Sequence, residues 1–325
     1  MSYSALAHRA PVFLALLGAC VALRLWDTPV TTQTWARLAV DWLLVGAFLA
    51  VVLPLRRLGR ARAEFFRVAR DQRDELVREV EMAARVQQHL LDQHQPPSGP
   101  LDVVARTHPA KVVGGDYYDF VPLADGRFAV VVADVSGKGL PAALIMPAVK
   151  IALRALAARN VSTSDLLAEL NRVFLDNLPP ASYFTLVYGV FDAAAGRLVY
   201  ANAGHPPALH LKARGGEAAW LMTEGPAVGL LHEDVRFETI EVRVEPGDLF
   251  VFYTDGITEA EDPSGADFGQ GRLVAAVRPV GDQAAEAVVA AVHGAVDAFR
   301  GPGPRADDAT VIAVRVPVAA RPPVG

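Results

Sequence analysis

The chain carries a single cysteine, Cys20, among 325 residues. That excludes an internal disulfide framework and suits a reducing cytoplasm. Neither sign of charge dominates, since 31 Lys and Arg stand against 36 Asp and Glu for a formal net charge of −5. A nucleic-acid binder would show a basic face, so no nucleic-acid partner is expected. Between Arg56 and Gln95 there is no proline and one glycine, Gly59, so little interrupts a helix there.

Apolar residues are what the chain has in excess. Its mean hydropathy of +0.25 is high for a soluble enzyme, and the first sixty or so residues explain it. Residues 10 to 26, "APVFLALLGACVALRLW", and 38 to 55, "LAVDWLLVGAFLAVVLPL", are apolar runs close to the shortest that cross a bilayer, about 17 residues. His8 and Arg9 precede the pair and Arg56, Arg57, Arg60 and Arg62 follow it, which places both ends in the cytoplasm; Arg37 in the connection weighs slightly the other way. Trp26, Trp35 and Trp42 would then form an aromatic belt at the outer interface. The expectation is a two-helix membrane hairpin over residues 1–55 in a multi-pass protein of the cytoplasmic membrane, with the rest of the chain in the cytoplasm. Two alternatives stand beside it: a pair of buried helices in a soluble domain, and a lipoprotein box at "LLGAC" that would leave a lipid on Cys20. The connection "DTPVTTQTWAR" is too short to form a sensory domain.

Residues 56–95 read as a helical linker. Arg62, Phe66, Ala69, Arg73, Leu76, Val80, Ala83, Gln87 and Leu90 follow alternating steps of four and three, a heptad seam with three polar interruptions. Such a seam predicts a coiled coil and a homodimer. The same spacing also suits one amphipathic helix packed on its own domain. "HQPPSGP" then breaks the helix, and a compact domain is expected over 96–318 with a disordered tail at 319–325.

Within that domain, "VVADVSGKGLPAALIM" runs a strand buried on both faces into Asp134, then into a turn made by Gly137 and Gly139 and a helix opened by Pro141. The pattern recurs. "VVGGDYYDF" places Asp116 after two glycines, "LFVFYTDGITEA" ends an apolar run on Asp255, and "RADDATVIAVRV" sets Asp307 and Asp308 before another. One such Asp is an ordinary turn former, but four widely separated strand-edge sites are what a carboxylate-lined cation site requires. Oxygen ligands of this kind suit Mg²⁺ or Mn²⁺. Asp119 and Asp125 read as turn residues, and Arg154 and Arg159 as the polar face of the helix after Pro141.

In this order, "VGGDYYDF", "ADVSGKGLPAAL", "NAGHPP", "FYTDGITEA" and "DDATVIAV" resemble the stage II sporulation protein E type phosphatases. These are a bacterial branch of the metal-dependent PPM (type 2C) serine/threonine protein phosphatases, and the resemblance covers roughly residues 82 to 317. It implies an α+β fold, an α-β-β-α sandwich of two antiparallel sheets, with two Mn²⁺ or Mg²⁺ ions at one end. Asp134 would bridge the ions, Asp116 would serve one, Asp255 and Asp307 the other, and the Val135 carbonyl would add a ligand. Asp134 and Asp255 would thereby be the catalytic pair, acting through activated water. Asp308 stands where many relatives have Asn and would orient its neighbour. Lys111 and Lys138 read as solvated lysines that could attract phosphate, and His205 as part of a proline-fixed turn. Ser136 occupies the position of a histidine in eukaryotic type 2C enzymes, which puts general acid catalysis by a side chain in doubt.

The resemblance further implies a phosphorylated partner protein as substrate, in this family usually an anti-sigma-factor antagonist. A non-catalytic, membrane-tethered module that sequesters such a partner is the competing class, and loss of the metal carboxylates would mark it; none is lost. A phosphatase for a small metabolite would need a deep apolar pocket instead.

Overall fold

The computed structural model describes residues 31–91, 99–111, 113–137, 139–213, 216–231 and 235–318, with four isolated positions before 31. The chain divides into two compact units, Met1–Val77 and Arg78–Gly325.

In the first unit the described structure is helix α1 (Thr32–Leu90), whose last turns belong to the second unit. From Trp35 onward α1 is long and apolar enough to cross a membrane, with a window of mean hydropathy 2.3 whose side chains are not buried in the protein. The run expected at 38–55 is part of this helix. The earlier run at 10–26, with Cys20, Arg24 and Trp26, falls almost wholly outside the described residues, as do the break after Leu91 and the tail 319–325.

The second unit holds two five-stranded antiparallel sheets. One is ordered β1 (Asp102–His108), β10 (Ala309–Arg315), β9 (Leu249–Tyr253), β6 (Ala208–Leu211), β7 (Ala218–Leu221). The other is ordered β2 (Asp116–Pro122), β3 (Phe128–Val135), β4 (Phe184–Asp192), β5 (Arg197–Ala203), β8 (Thr239–Arg243). The valine run of β3 is continuous because both of its faces are buried. Val131, Ala133 and Val135 pack under helices α2 (Leu140–Ala157) and α3 (Thr163–Leu175), while Val130 and Val132 meet Phe250, Phe252 and Ile312 of the other sheet. Helices α5 (Gly269–Val277) and α6 (Ala285–Arg300) cover the outer face of the β1–β10–β9 sheet through Leu273, Val288, Val292 and Val296. Between β9 and α5 lies the single turn α4 (Asp255–Thr258). The layers are therefore α-β-β-α, as the resemblance implied.

Three readings of single residues change, the simplest being Arg159, which lies in the turn after α2 and not on that helix. Asp119 is not a turn residue, and Arg154 is not simply on a solvated face. Asp119 lies inside β2 with 1% of its surface exposed, and Arg154 of α2 grips it with Nε at 2.6 Å and Nη2 at 2.7 Å. Tyr117 Oη donates to the same carboxylate at 2.6 Å and the Phe120 amide at 2.9 Å. Tyr117 and Asp119 share a strand face by period two, so this cluster fastens α2 to β2. Asp125 does occupy a turn, with φ of 60°.

The last turns of α1 pack on the compact domain. Ala84 clusters with Val113 and Ala143, Gln87 is buried, and Lys150 Nζ donates to the Leu90 carbonyl at 3.0 Å. Further up the seam, Phe66 and Leu76 are exposed. The last turns of this helix therefore pack on the domain, while the stretch before them leaves apolar side chains exposed.

Candidate active site

The strand-edge acids stand where strands begin or end at the same end of the sandwich. Asp116 and Asp134 face each other across the β2–β3 ladder. Asp255 follows β9, and Asp307 and Asp308 precede β10, its neighbour in the other sheet. The two sheets thus contribute acids to one point.

Burial and mutual repulsion show in their proton affinities. The Asp134 carboxyl is pushed up from 3.8 to about 9, first by burial and then by the charges of Asp116, Asp255, Asp307 and Asp308. Asp116 is raised to about 7 by burial, against which the Thr310 and Thr254 hydroxyls pull it down. Among the described residues no three acids or imidazoles stand closed into a ready ligand cluster. The donor set nonetheless fits hard divalent cations: it is all oxygen, it draws on two sheets, and it concentrates negative charge that a cation would offset.

Glycines let the backbone come close enough to form the site. A Cβ on Gly114 would overlap the Asp308 carboxylate, and one on Gly256 would overlap the Asp308 carbonyl. Asp308 uses both carboxylate oxygens on the backbone, Oδ1 accepting from the Ala110 amide at 2.8 Å and Oδ2 from the Gly115 amide at 3.0 Å. It therefore ties the loop before Asp116 to β10. The carbonyl of Gly114 accepts from Gln87 Nε2 at 2.9 Å, and a second bond from the same nitrogen reaches the Ala143 carbonyl at 2.9 Å. One peptide group, Gly114–Gly115, is pinned by α1 on its C=O side and by Asp308 on its N–H side. A Cβ on Gly115 would stand 3.1 Å from Asp134 Oδ1 and 3.4 Å from the Val135 carbonyl, so those two oxygens line the same small space.

The remaining sequence candidates fall in different places. His205 is buried, and its value is lowered to about 4 by that burial. Its Nε2 faces the Tyr253 carbonyl at 3.1 Å, which requires a proton there, so Nδ1 accepts from Thr185 Oγ1 at 2.8 Å. Asn202 closes the turn in both directions, accepting from the His205 amide and donating to its carbonyl, each at 2.7 Å. Ser136 is occupied with Tyr183: its amide donates to the Tyr183 carbonyl and its hydroxyl accepts from the Tyr183 amide, both at 2.9 Å. Lys111 is exposed, and Lys138 lies outside the described residues.

Three threonines at this end were not singled out from the sequence. Thr254 Oγ1 donates to Asp116 Oδ2 at 2.8 Å and Thr310 Oγ1 donates to the same oxygen at 2.6 Å, while Thr107 Oγ1 lies 2.9 Å from Thr310 Oγ1. Threonine is common in strands for its branched Cβ, which hides such a role. The available signal was its place, next to Asp255 and two residues after Asp308.

Comparison with known proteins agrees with this geometry. The description "Stage II sporulation protein E" matches residues 124–317. The chain belongs to that family. "Phosphoserine phosphatase RsbU" of Bacillus subtilis is 34% identical over 191 residues, covering 59% of this chain and 56% of that protein. This member of the family spans about half the length of the curated relatives it matches. Among solved structures, the SiaA-PP2C domain of Pseudomonas aeruginosa shares the fold with a TM-score of 0.63 at 23% identity, covering 75% of this chain and 98% of that one. The RsbU and RsbW domains of a Mycobacterium tuberculosis protein give a TM-score of 0.57 at 26% identity, over 67% of this chain and 61% of that one.

Proposed function

We propose that this protein is a metal-dependent phosphatase that hydrolyses phosphoserine or phosphothreonine on a partner protein. The convergence of Asp116, Asp134, Asp255 and Asp307 from two sheets onto one end of the fold carries the reading. These carboxylates, with the Val135 carbonyl, would hold two Mn²⁺ or Mg²⁺ ions. When bound, such ions supply an activated water and neutralise charge on the phosphoryl oxygens. Phosphate monoester hydrolysis is among the slowest reactions in water, so this electrostatic contribution is the one most needed.

The chain's own groups set that site up. Thr254 and Thr310 fix the Asp116 carboxylate, and Asp308 fixes the loop that carries it. His205 is neutral at physiological pH with both ring nitrogens engaged, so it does not deliver the proton to the leaving hydroxyl; it joins β4 to β9 behind Asp134 and Asp255. Retention of every acid favours an enzyme over a sequestering module. The site's position at the open end of the sandwich suits a protein substrate, and the family likeness supports an anti-sigma-factor antagonist as that substrate. We further propose that residues 10–55 anchor the chain in the cytoplasmic membrane as a hairpin, with the phosphatase domain in the cytoplasm, and that the exposed part of α1 pairs two copies.

The activity is tested by incubating the detergent-solubilised chain with phosphoserine proteins and Mn²⁺, with and without chelator. Phosphate release that stops on chelation and returns with Mn²⁺ is expected. Tight binding of the phosphoprotein without phosphate release would overturn the proposal in favour of the sequestering module.

A further inference from the structure

We infer that Thr107, Thr310 and Thr254 form a proton-ordered row that orients Asp116 for metal binding, with Thr310 as the decisive positioning residue. The inference rests on the reading of Asp116 as a metal ligand. The three come from neighbouring strands of one sheet. Thr107 pairs with Thr310 across the β1–β10 ladder, and the Thr254 amide donates to the Thr310 carbonyl at 3.1 Å. Thr254 and Thr310 are fully buried, so water does not compete for their hydroxyls. Asp116 belongs to the opposite sheet, and the row therefore reaches across the sandwich to it.

Counting protons fixes the direction of every bond. In the ionised form that would bind a metal the Asp116 carboxylate only accepts, so Thr310 and Thr254 each spend their one hydroxyl proton on Oδ2. Thr310 then has none left for Thr107, and in the 2.9 Å contact between them Thr107 must be the donor. Thr254 Oγ1 in turn accepts from the Thr310 amide at 3.0 Å. Two hydroxyl protons thus meet on Asp116 Oδ2, with Thr107 donating to Thr310 and the Thr310 amide to Thr254 behind them. With Oδ2 held by two donors, Oδ1 is the oxygen kept for the metal, and the carboxylate cannot swing to exchange them without breaking both bonds. Partners of this kind are what hold a ligating carboxylate in place in metal sites generally.

The test is Mn²⁺ binding to the full chain by titration calorimetry, with unfolding followed in chelator as a separate readout. Thr310→Val keeps the shape and removes the donor; it should weaken Mn²⁺ binding by about 10- to 100-fold. Thr310→Ser restores the hydroxyl and should bind as the unsubstituted chain does, which a purely steric role for the side chain would not produce. A folded Thr310→Val chain with unchanged affinity overturns the inference. Should Thr310→Val not fold, Thr254→Val decides by the same two outcomes. Absence of Mn²⁺ binding in the unsubstituted chain would instead refute the ligand reading of Asp116 itself.

Discussion

Replacing Asp134 by asparagine removes a titratable carboxyl from the point where five aspartates, 116, 134, 255, 307 and 308, act on one another. Burial and the other four raise the Asp134 carboxyl from 3.8 to about 9. At pH 7 the metal-free folded chain therefore holds a proton at this position that the unfolded chain has released. The folded value lies above the unfolded one, so stability is lost as pH rises from about 3.8, and the loss is complete only above about 9. Each pH unit in that window is worth about 1.4 kcal/mol, so by pH 7 the cost is on the order of 4 kcal/mol. Asparagine matches the protonated acid in shape and carries no such cost. In chelator at pH 7, Asp134→Asn should therefore unfold at a higher temperature, by on the order of 10 °C for a domain of this size.

The same substitution should abolish Mn²⁺-dependent phosphate release. A cation entering the site must displace the proton, so Mn²⁺ affinity of the unsubstituted chain should climb between pH 7 and 9, up to about tenfold per unit. Thermal unfolding in chelator and calorimetry across that range measure both sides. An Asp134→Asn chain less stable than its parent in chelator, or metal-free stability that is flat from pH 5 to 9, would refute the electrostatic reasoning.

Three further outcomes are expected. Gln87→Leu should remove two hydrogen bonds worth about 1 kcal/mol each, speed amide exchange over residues 113–115 and lower Mn²⁺ affinity; unchanged exchange there would show that α1 does not hold the loop. Leu76→Glu with Val80→Glu should convert a dimer to a monomer, as sedimentation would show, because unpaired charge in a coiled-coil seam costs several kcal/mol; a double variant that stays dimeric removes the seam. Reporter fusions after Arg62 and at Thr31 should report opposite sides of the membrane, and both on one side would refute the hairpin.

How much of this was legible in the sequence depends on how local each cause is. An acid set between an apolar run and nearby glycines is written in a few consecutive residues, which is why Asp116, Asp134 and Asp255 could be singled out. The same holds for the helix after Pro141, which begins at Leu140 behind Gly137 and Gly139 with φ of 97° and 86°. Asp119 and Arg154 are 35 residues apart and meet only because α2 lies back across β2. Nothing next to either in the chain marks the pair. The threonine row is similarly non-local: Thr107 and Thr310 are 203 residues apart, and their hydroxyls acquire meaning only once β1 is laid beside β10. His205 was legible as a structural residue because Pro206 and Pro207 restrict the turn around it, although the partners Thr185 and Tyr253 were not.

The seam in α1 raises a question that sequence spacing alone left open, namely how a helix outside the sandwich reaches the carboxylates. One route runs through a single peptide group. A peptide unit is planar, so the Gly114 carbonyl and the Gly115 amide turn together or not at all. The carbonyl is held by Gln87 and the amide by Asp308, and the next residue is Asp116. A rotation of α1 that breaks the Gln87 bond frees the plane to tilt, and tilting the plane strains the bond to Asp308. Both effects arrive within one residue of Asp116, whose own orientation depends on a row of hydroxyls in the opposite sheet. Asp134 is less directly exposed to such a change, because it sits inside the β3 ladder between β2 and β4. Movement of α1 should therefore act first on the Asp116 side of the site and leave the Asp134 strand in register.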